Sequence, residues 1–276
     1  MTEALTINGV SLASLAYMLP DVSGLFGAPA KRGSNVVVPG RHGTVRVTRK
    51  RYDEAEYTLT FWVLGAQADG TVPGGSTAAR EFYKRRDELL RILGAETLTL
   101  AFTRPDGLVL TSTCEVVDAV DFTRIGAEPL AKVAVAVRNA AAFWLESTPV
   151  NQTITGVNGT TATLTQFAAA TAPMTDLTIT FNGPINNPQL QHGDKFVTYG
   201  GSLTSGQQLV IAAASWQVSA GTGSAWTPDL RNITFSPGPE WISLDPTVTP
   251  FTATLNHTTG GSASVTITAR RAYLAA

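Results

Sequence analysis

Leu177-Thr178-Ile179-Thr180-Phe181-Asn182-Gly183 sets the fold class of this chain. In extended backbone, successive side chains point to opposite faces. Leu177, Ile179 and Phe181 therefore share one face, and Thr178 and Thr180 the other. Val265 and Ile267 alternate with Ser264, Thr266 and Thr268 in the same way. The outward positions are Thr and Ser rather than Lys and Glu, which makes a stiff, neutral surface. Turn chemistry separates such segments at Asn158-Gly159, Gly183-Pro184, Asn187-Pro188, Gly200-Gly201 and Gly260-Gly261. Short alternating strands at regular spacing predict a β-sandwich or jelly roll for the second half, with no helix.

The first half is also β-rich but carries one helix. Val36-Val37-Val38 ends at the turn Pro39-Gly40. Val45–Tyr52 and Tyr57–Leu64 read as two strands around Asp53-Glu54-Ala55-Glu56, with Tyr57, Leu59, Phe61 and Val63 on one face. A helix is predicted from about Thr77 to Leu93. Ala79, Phe82, Leu89, Leu90 and Leu93 form its apolar stripe, Ser76 caps its start and Gly94 takes the left-handed position at its end. Leu98–Phe102 and Leu108–Val117 form a hairpin around Arg104-Pro105-Asp106-Gly107. Leu130–Val137 is apolar on both faces and reads as a central strand.

At 276 residues the chain accommodates two domains of ordinary size. Charged residues are only 15%, against roughly a quarter in typical soluble domains. Sixteen of the 20 Lys and Arg lie before Glu146, and only Lys195, Arg231, Arg270 and Arg271 follow. The composition changes across Phe143-Trp144-Leu145-Glu146-Ser147-Thr148-Pro149, which predicts domains at 1–145 and 146–276. A net charge of −1 gives no bulk attraction to nucleic acid or membrane. Apolar runs such as Val133–Val137 are far short of a membrane span. No basic segment precedes the apolar residues near Met1, so no secretory signal is expected. Cys114 is the one cysteine, which excludes an internal disulfide.

Chemistry-bearing residues are sparse. The three histidines, His42, His192 and His257, have no second His or Cys at metal-ligand spacing, so neither a metal nor a cofactor is expected. No nucleophile elbow or phosphate loop occurs, and Gly221-Thr222-Gly223 lacks the later glycine of a dinucleotide fingerprint. Cys114 alternates with Thr113 and Glu115 and reads as a core thiol. Asp176, Asp194, Asp229, Glu240 and Asp245 lie beside turn residues or at strand ends, where Asp is a good turn former. No acid–base pair emerges and no enzyme is expected. Trp216, Trp226 and Trp241 fall in one loop-rich region, where indoles stack on sugars or pack into loops. In the basic run Arg46, Arg49, Lys50, Arg51, an extended strand points Arg49 and Arg51 the same way. Asp53, Glu54 and Glu56 follow at once. This mixture of signs fits a subunit interface or a solvated hairpin better than a nucleic-acid patch.

The order of these motifs resembles the distal tail proteins, or minor tail proteins, of long non-contractile-tailed phages, the actinobacteriophage type in particular. Ile7-Asn8-Gly9-Val10, the stretch Lys31–Thr44, the basic hairpin, Leu89-Leu90-Arg91-Ile92-Leu93-Gly94 and Val137–Trp144 resemble the family's first domain. Leu177–Gly183, Asn187-Pro188 and Ala269-Arg270-Arg271-Ala272-Tyr273-Leu274 resemble its second. The resemblance implies a ring-forming first domain, sandwich or barrel-like, with one helix and a long hairpin. It implies a galectin-like, jelly-roll type sandwich as the second. It also implies a hexameric ring at the distal end of a virion's tail, joining tail tube to tail-tip proteins, with DNA only passing through. The family supplies no catalytic residues. The alternative reading is a carbohydrate-binding module of the tail tip that takes a host-surface glycan.

Overall fold

Alternating segments dominate the sequence, and the computed structural model is correspondingly mainly β. It describes residues 3–11, 17–33, 35–37, 42, 44–45, 51–67, 70–222, 225–237 and 242–276, with backbone alone for 17–23, 36–37 and 44–45. The chain divides into two compact units, Met1–Leu145 with Leu274–Ala276, and Glu146–Tyr273. No helix is long and apolar enough to cross a membrane among the described residues.

The first unit begins with β1 (Ala4–Ile7), β2 (Val10–Ser11), β3 (Tyr17–Ser23), β4 (Val36–Val37), β5 (Thr44–Val45) and β6 (Ala55–Leu64). Helix α1 (Gly75–Leu93) follows, then β7 (Leu98–Thr103), β8 (Val109–Val116), β9 (Phe122–Arg124), β10 (Leu130–Asn139) and β11 (Trp144–Glu146). The strands run in the order β2-β1-β7-β8-β10-β6-β3, and this path does not close into a barrel. β10 pairs with β6 along its whole length, from Leu130↔Leu64 to Asn139↔Ala55. Tyr57, Leu59, Phe61 and Val63 of β6 are buried beside Val133, Val135 and Val137 of β10. The opposite face of β10 is not buried as its composition suggested. Lys132 and Ala134 are exposed there, and small alanines leave that face open.

Helix α1 starts earlier than expected, with Gly74 at the N-cap and no side-chain cap, so Ser76 lies inside its first turn. Its buried stripe is Ala78, Phe82, Leu89, Ile92 and Leu93. Phe82, Leu89 and Leu93 are buried as predicted, while Ala78 and Ile92 take the places of Ala79, half-buried, and Leu90, exposed, because the buried face is centred slightly to one side of the predicted stripe. Gly94 has φ −79°, not a left-handed value. Its N–H still donates to Leu90 O at 2.8 Å, so the last helical turn is closed without a reversal. Each large side chain buried by this stripe contributes about 1.5–3 kcal/mol, more than helix propensity supplies.

A second correction concerns the hairpin. Among the described residues of Val45–Tyr52, none pairs with β6, whose edges are taken by β10 and β3. Instead β5 pairs with β4 through Val36↔Val45 and Val37↔Thr44, and Tyr52 bridges Lys31. The strand predicted over Val45–Tyr52 is described only at its ends, and the turn at Pro39-Gly40 lies outside the described residues.

The second unit continues with β12 (Val150–Gly156), β13 (Thr160–Thr163), β14 (Leu177–Asn182), β15 (Ile185–Asn186), β16 (Gln189–His192) and β17 (Lys195–Tyr199). Then come β18 (Ser202–Leu203), β19 (Gln208–Ala212), β20 (Gln217–Thr222), β21 (Ala225–Pro228) and β22 (Ile233–Phe235). β23 (Thr252–Asn256), β24 (Ala263–Ala269) and β25 (Ala272–Tyr273) complete it. Among its described residues, helical content is confined to single 3-10 turns at Thr165–Phe167 and Leu230–Asn232. One sheet has the order β12-β24-β14-β19-β20-β21 and the other β13-β23-β16-β17-β22. Leu177, Ile179, Phe181, Leu209, Ile211, Val265 and Ile267 bury one face of the first sheet. Leu190, Val197, Ala253 and Leu255 bury one face of the second, which is the sandwich pattern.

The opposite faces carry cross-strand hydrogen bonds between neutral side chains. Thr153 and Thr266 hydroxyls lie 2.9 Å apart, Asn182 Nδ2 donates to Ser264 Oγ at 3.1 Å, and Gln208 Nε2 to Asn182 Oδ1 at 2.8 Å. On the second sheet Asn256 Nδ2 donates to Gln189 Oε1, and Gln189 Nε2 to Thr198 Oγ1, both at 2.8 Å. Such pairs stabilise a sheet without charge.

Candidate interaction surfaces

The mixed-sign residues of the first unit are tied into the fold. Arg32 N donates to Arg51 O at 2.6 Å and Asp53 N to Ala30 O at 2.7 Å, so backbone bonds flank the Lys31–Tyr52 bridge. Tyr52 is held between the Lys31 ammonium, 5.1 Å from its ring centre, and Phe143, edge-on at 5.3 Å. Arg32 donates to Asp53 Oδ1 through Nε at 3.1 Å and a terminal nitrogen at 2.8 Å. The Arg32 hydrogen bond holds the Asp53 carboxyl below its ordinary range, assisted by the Glu54 N–H. Glu54 and Glu56 both reach Arg138 of β10, at 3.4 and 3.1 Å. Arg49 lies outside the described residues, as do Arg46 and Lys50; Arg51 is exposed.

Arg138 gives no sequence signal of this role. It is one of three polar residues, with Lys132 and Asn139, in an otherwise apolar strand, and only the β6–β10 register sets it opposite Glu56. Glu146 and Arg271 carry no local signal as a pair either. They form a two-pronged ion pair, one prong at 2.7 Å, near the two ends of the second unit. The Glu146 hydrogen bond raises the Arg271 pKa above its ordinary value.

The two candidate tryptophans among the described residues lie apart. Trp216, 49% exposed, precedes β20 and meets Phe235 edge-on at 6.2 Å. Trp226, 39% exposed, sits on β21 opposite Gly221, toward the other end of β20. Five residues of strand separate those levels, roughly 15 Å. Trp241 lies outside the described residues. A cavity of about 280 Å³ opens nearby, lined by Tyr199, Ser202, Gln207, Thr222 and Thr227 among others, but by neither described tryptophan. Tyr199 donates to Asp229 Oδ2 at 2.6 Å, and burial, with that carboxylate, pushes its hydroxyl up to about 12.

Asp176, Asp245, Cys114 and the two buried histidines have structural partners. Asp176 accepts from Arg270 at 2.7 Å, and Asp245 accepts from the N–H and hydroxyl of Thr247. Glu240 is outside the described residues. His42 is exposed, while His192 and His257 are buried. Asp245 N–H donates to His192 Nε2 at 3.1 Å, which assigns the proton to Nδ1, 2.7 Å from Thr252 O. Cys114 is buried 3.3 Å from the Ser112 hydroxyl, and burial pushes its thiol up to about 11. No group of three or more His, Cys, Asp or Glu could hold a metal ion among the described residues.

This arrangement has the fold of a phage distal-tail, or Dit, protein. The crystal structure of SPP1 Dit (gp 19.1), described as a paradigm of the hub adsorption apparatus in phages infecting Gram-positive bacteria, superposes with a TM-score of 0.66. The two share 16% sequence identity, and the match covers 98% of this chain and 99% of that one. Two structures of a phage p2 baseplate in its activated conformation, with Ca and with Sr, overlap at a TM-score of 0.41 and 7% identity. Those matches cover 97% of this chain and 98% of theirs. No family model and no curated protein matches the chain.

Proposed function

We propose that this protein is a structural hub at the distal end of a phage tail. The observation that carries the reading is the end-to-end fold likeness to SPP1 Dit, 98% of this chain against 99% of that one. The chain forms a closed ring, a hexamer, that joins the tail tube to the tail-tip proteins and lets DNA through. The first unit makes the ring, and the second unit is a galectin-like sandwich. Arg49, Arg51, Asp53, Glu54 and Glu56 belong to the contacts between subunits. The work is assembly, not catalysis, and it is done by repeated heterologous contacts.

Electron microscopy of the purified chain, and of tails labelled with an antibody against it, tests this. Rings, and label confined to the distal tip, are expected; label along the tube or none on virions would overturn the reading. The exposure of Trp216 and Trp226 favours a second reading, a glycan-binding module. Binding of the chain to a glycan array, lost in Trp226→Ala, would support it.

A further inference from the structure

Helix α1 presents a solvent face with its own chemistry. Arg80, Lys84 and Arg91 are exposed along it. Tyr83 and Leu90, seven residues apart and thus on one side, are 45% and 38% exposed. The exposed carboxylate there, Asp87, is held by Arg86 at 2.6 Å, and Arg86 also stacks on Tyr83. Glu81, 3.9 Å from Lys84, is half-buried. The face is therefore basic, with two apolar anchors of the kind that dominate interfaces.

The same unit carries a surface of opposite sign. Arg138 lies in register between Glu56 of β6 and Glu115 of β8, with Glu54 also on its guanidinium. Val117 N–H donates to Ala136 O at 3.1 Å, which extends the pairing beyond β8 and brings exposed Asp118 next. Glu54 and Glu56 thus contact one cation, Glu115 lies beside it in register, Asp118 follows three residues further along, and Val117 is 36% exposed between those last two. The two surfaces share no residue.

We infer that the solvent face of α1 docks on the Glu54–Glu56–Glu115–Asp118 surface of a second copy of this chain. The inference rests on the self-assembly reading above and names the surfaces that meet. The occupant is a second copy because the same unit supplies both halves of a charge-complementary pair. Two α1 faces would repel each other, as would two acidic surfaces. The contact is therefore heterologous and repeats from subunit to subunit.

Sedimentation velocity on the full chain at low ionic strength tests it, with thermal melts to verify folding. Lys84→Glu with Arg91→Glu makes the helix face acidic; Glu115→Lys with Asp118→Lys makes the other surface basic. Each double variant alone should self-associate about tenfold more weakly or worse. An equimolar mixture should associate again, because every contact between unlike variants is complementary. Wild-type association that neither variant weakens, or a mixture that stays dissociated, overturns the contact while leaving self-assembly intact. A wild-type chain that is monomeric at every concentration overturns self-assembly and the contact with it.

Discussion

At the scale of single residues, burial sets the chemistry of Cys114 and His192. The Cys114 thiol, at about 11 against an ordinary 9.0, stays protonated in the fold when it would ionise in the unfolded chain. Above pH 9 the unfolded state binds fewer protons, so stability falls as pH rises toward 11. Between pH 9 and 10, below the range where Tyr199 adds its own loss, the Cys114 contribution should be about 1 kcal/mol and disappear in Cys114→Ala, as read from urea midpoints. At about pH 8 roughly one thiol in a thousand is ionised, so iodoacetamide should label the native protein far more slowly than the unfolded one. His192 joins β16 to Asp245 and Thr252 through both ring nitrogens. His192→Ala leaves a buried N–H and a buried carbonyl without that partner and should cost about 2–4 kcal/mol in a urea titration. A change below half of that would show the ring to be dispensable.

At the scale of elements, close backbone approach and ion pairing set how the first unit is joined. Gly65 follows β6, and its N–H donates to Pro129 O at 2.9 Å. A Cβ there would run into the Ala78 carbonyl of α1 and stand 3.0 Å from Pro129 Cβ. Gly65→Ala should therefore cost about 1–3 kcal/mol, since backbone must move; an unchanged melting temperature would contradict this. Ahead of β6 and at its start, Asp53, Glu54 and Glu56 already have cations, Arg32 and Arg138. Arg49→Glu with Arg51→Glu should abolish tail assembly if these arginines serve subunit contacts, with a thermal melt to verify that the chain still folds. Complementing a phage that lacks the protein and counting intact tails would decide; normal numbers refute the assignment.

At the scale of the molecule, stability rests on apolar cores and neutral hydrogen-bonded surfaces. The described residues contain no cluster fit for a metal. A chelator should then leave the melting temperature unchanged, and elemental analysis should find no stoichiometric metal. A drop of several degrees on chelation would show a site that involves residues beyond those described. Low charge also shapes assembly. With 15% charged residues, the ionic groups that remain on exposed surfaces carry much of the partner selection.

The sequence by itself determined the elements whose signal is local. Period-two alternation marks β6, β14 and β24, the turn Arg104–Gly107 marks the β7–β8 hairpin, and a 3.6-residue period marks α1. Neutral Thr and Ser positions also showed the character of the sandwich surface. Tertiary structure alone decided which strands pair. Val45–Tyr52 lies just before β6 in sequence, yet β6 pairs with β10 over ten residues on one edge and with β3 on the other. It alone brought Arg138 to Glu56, 82 positions away in sequence, and His192 to Thr252, 60 positions away. The physical reason is that side-chain period is a property of a few consecutive residues. Pairing depends on the apolar area and hydrogen bonds gained between distant segments, which no local pattern records.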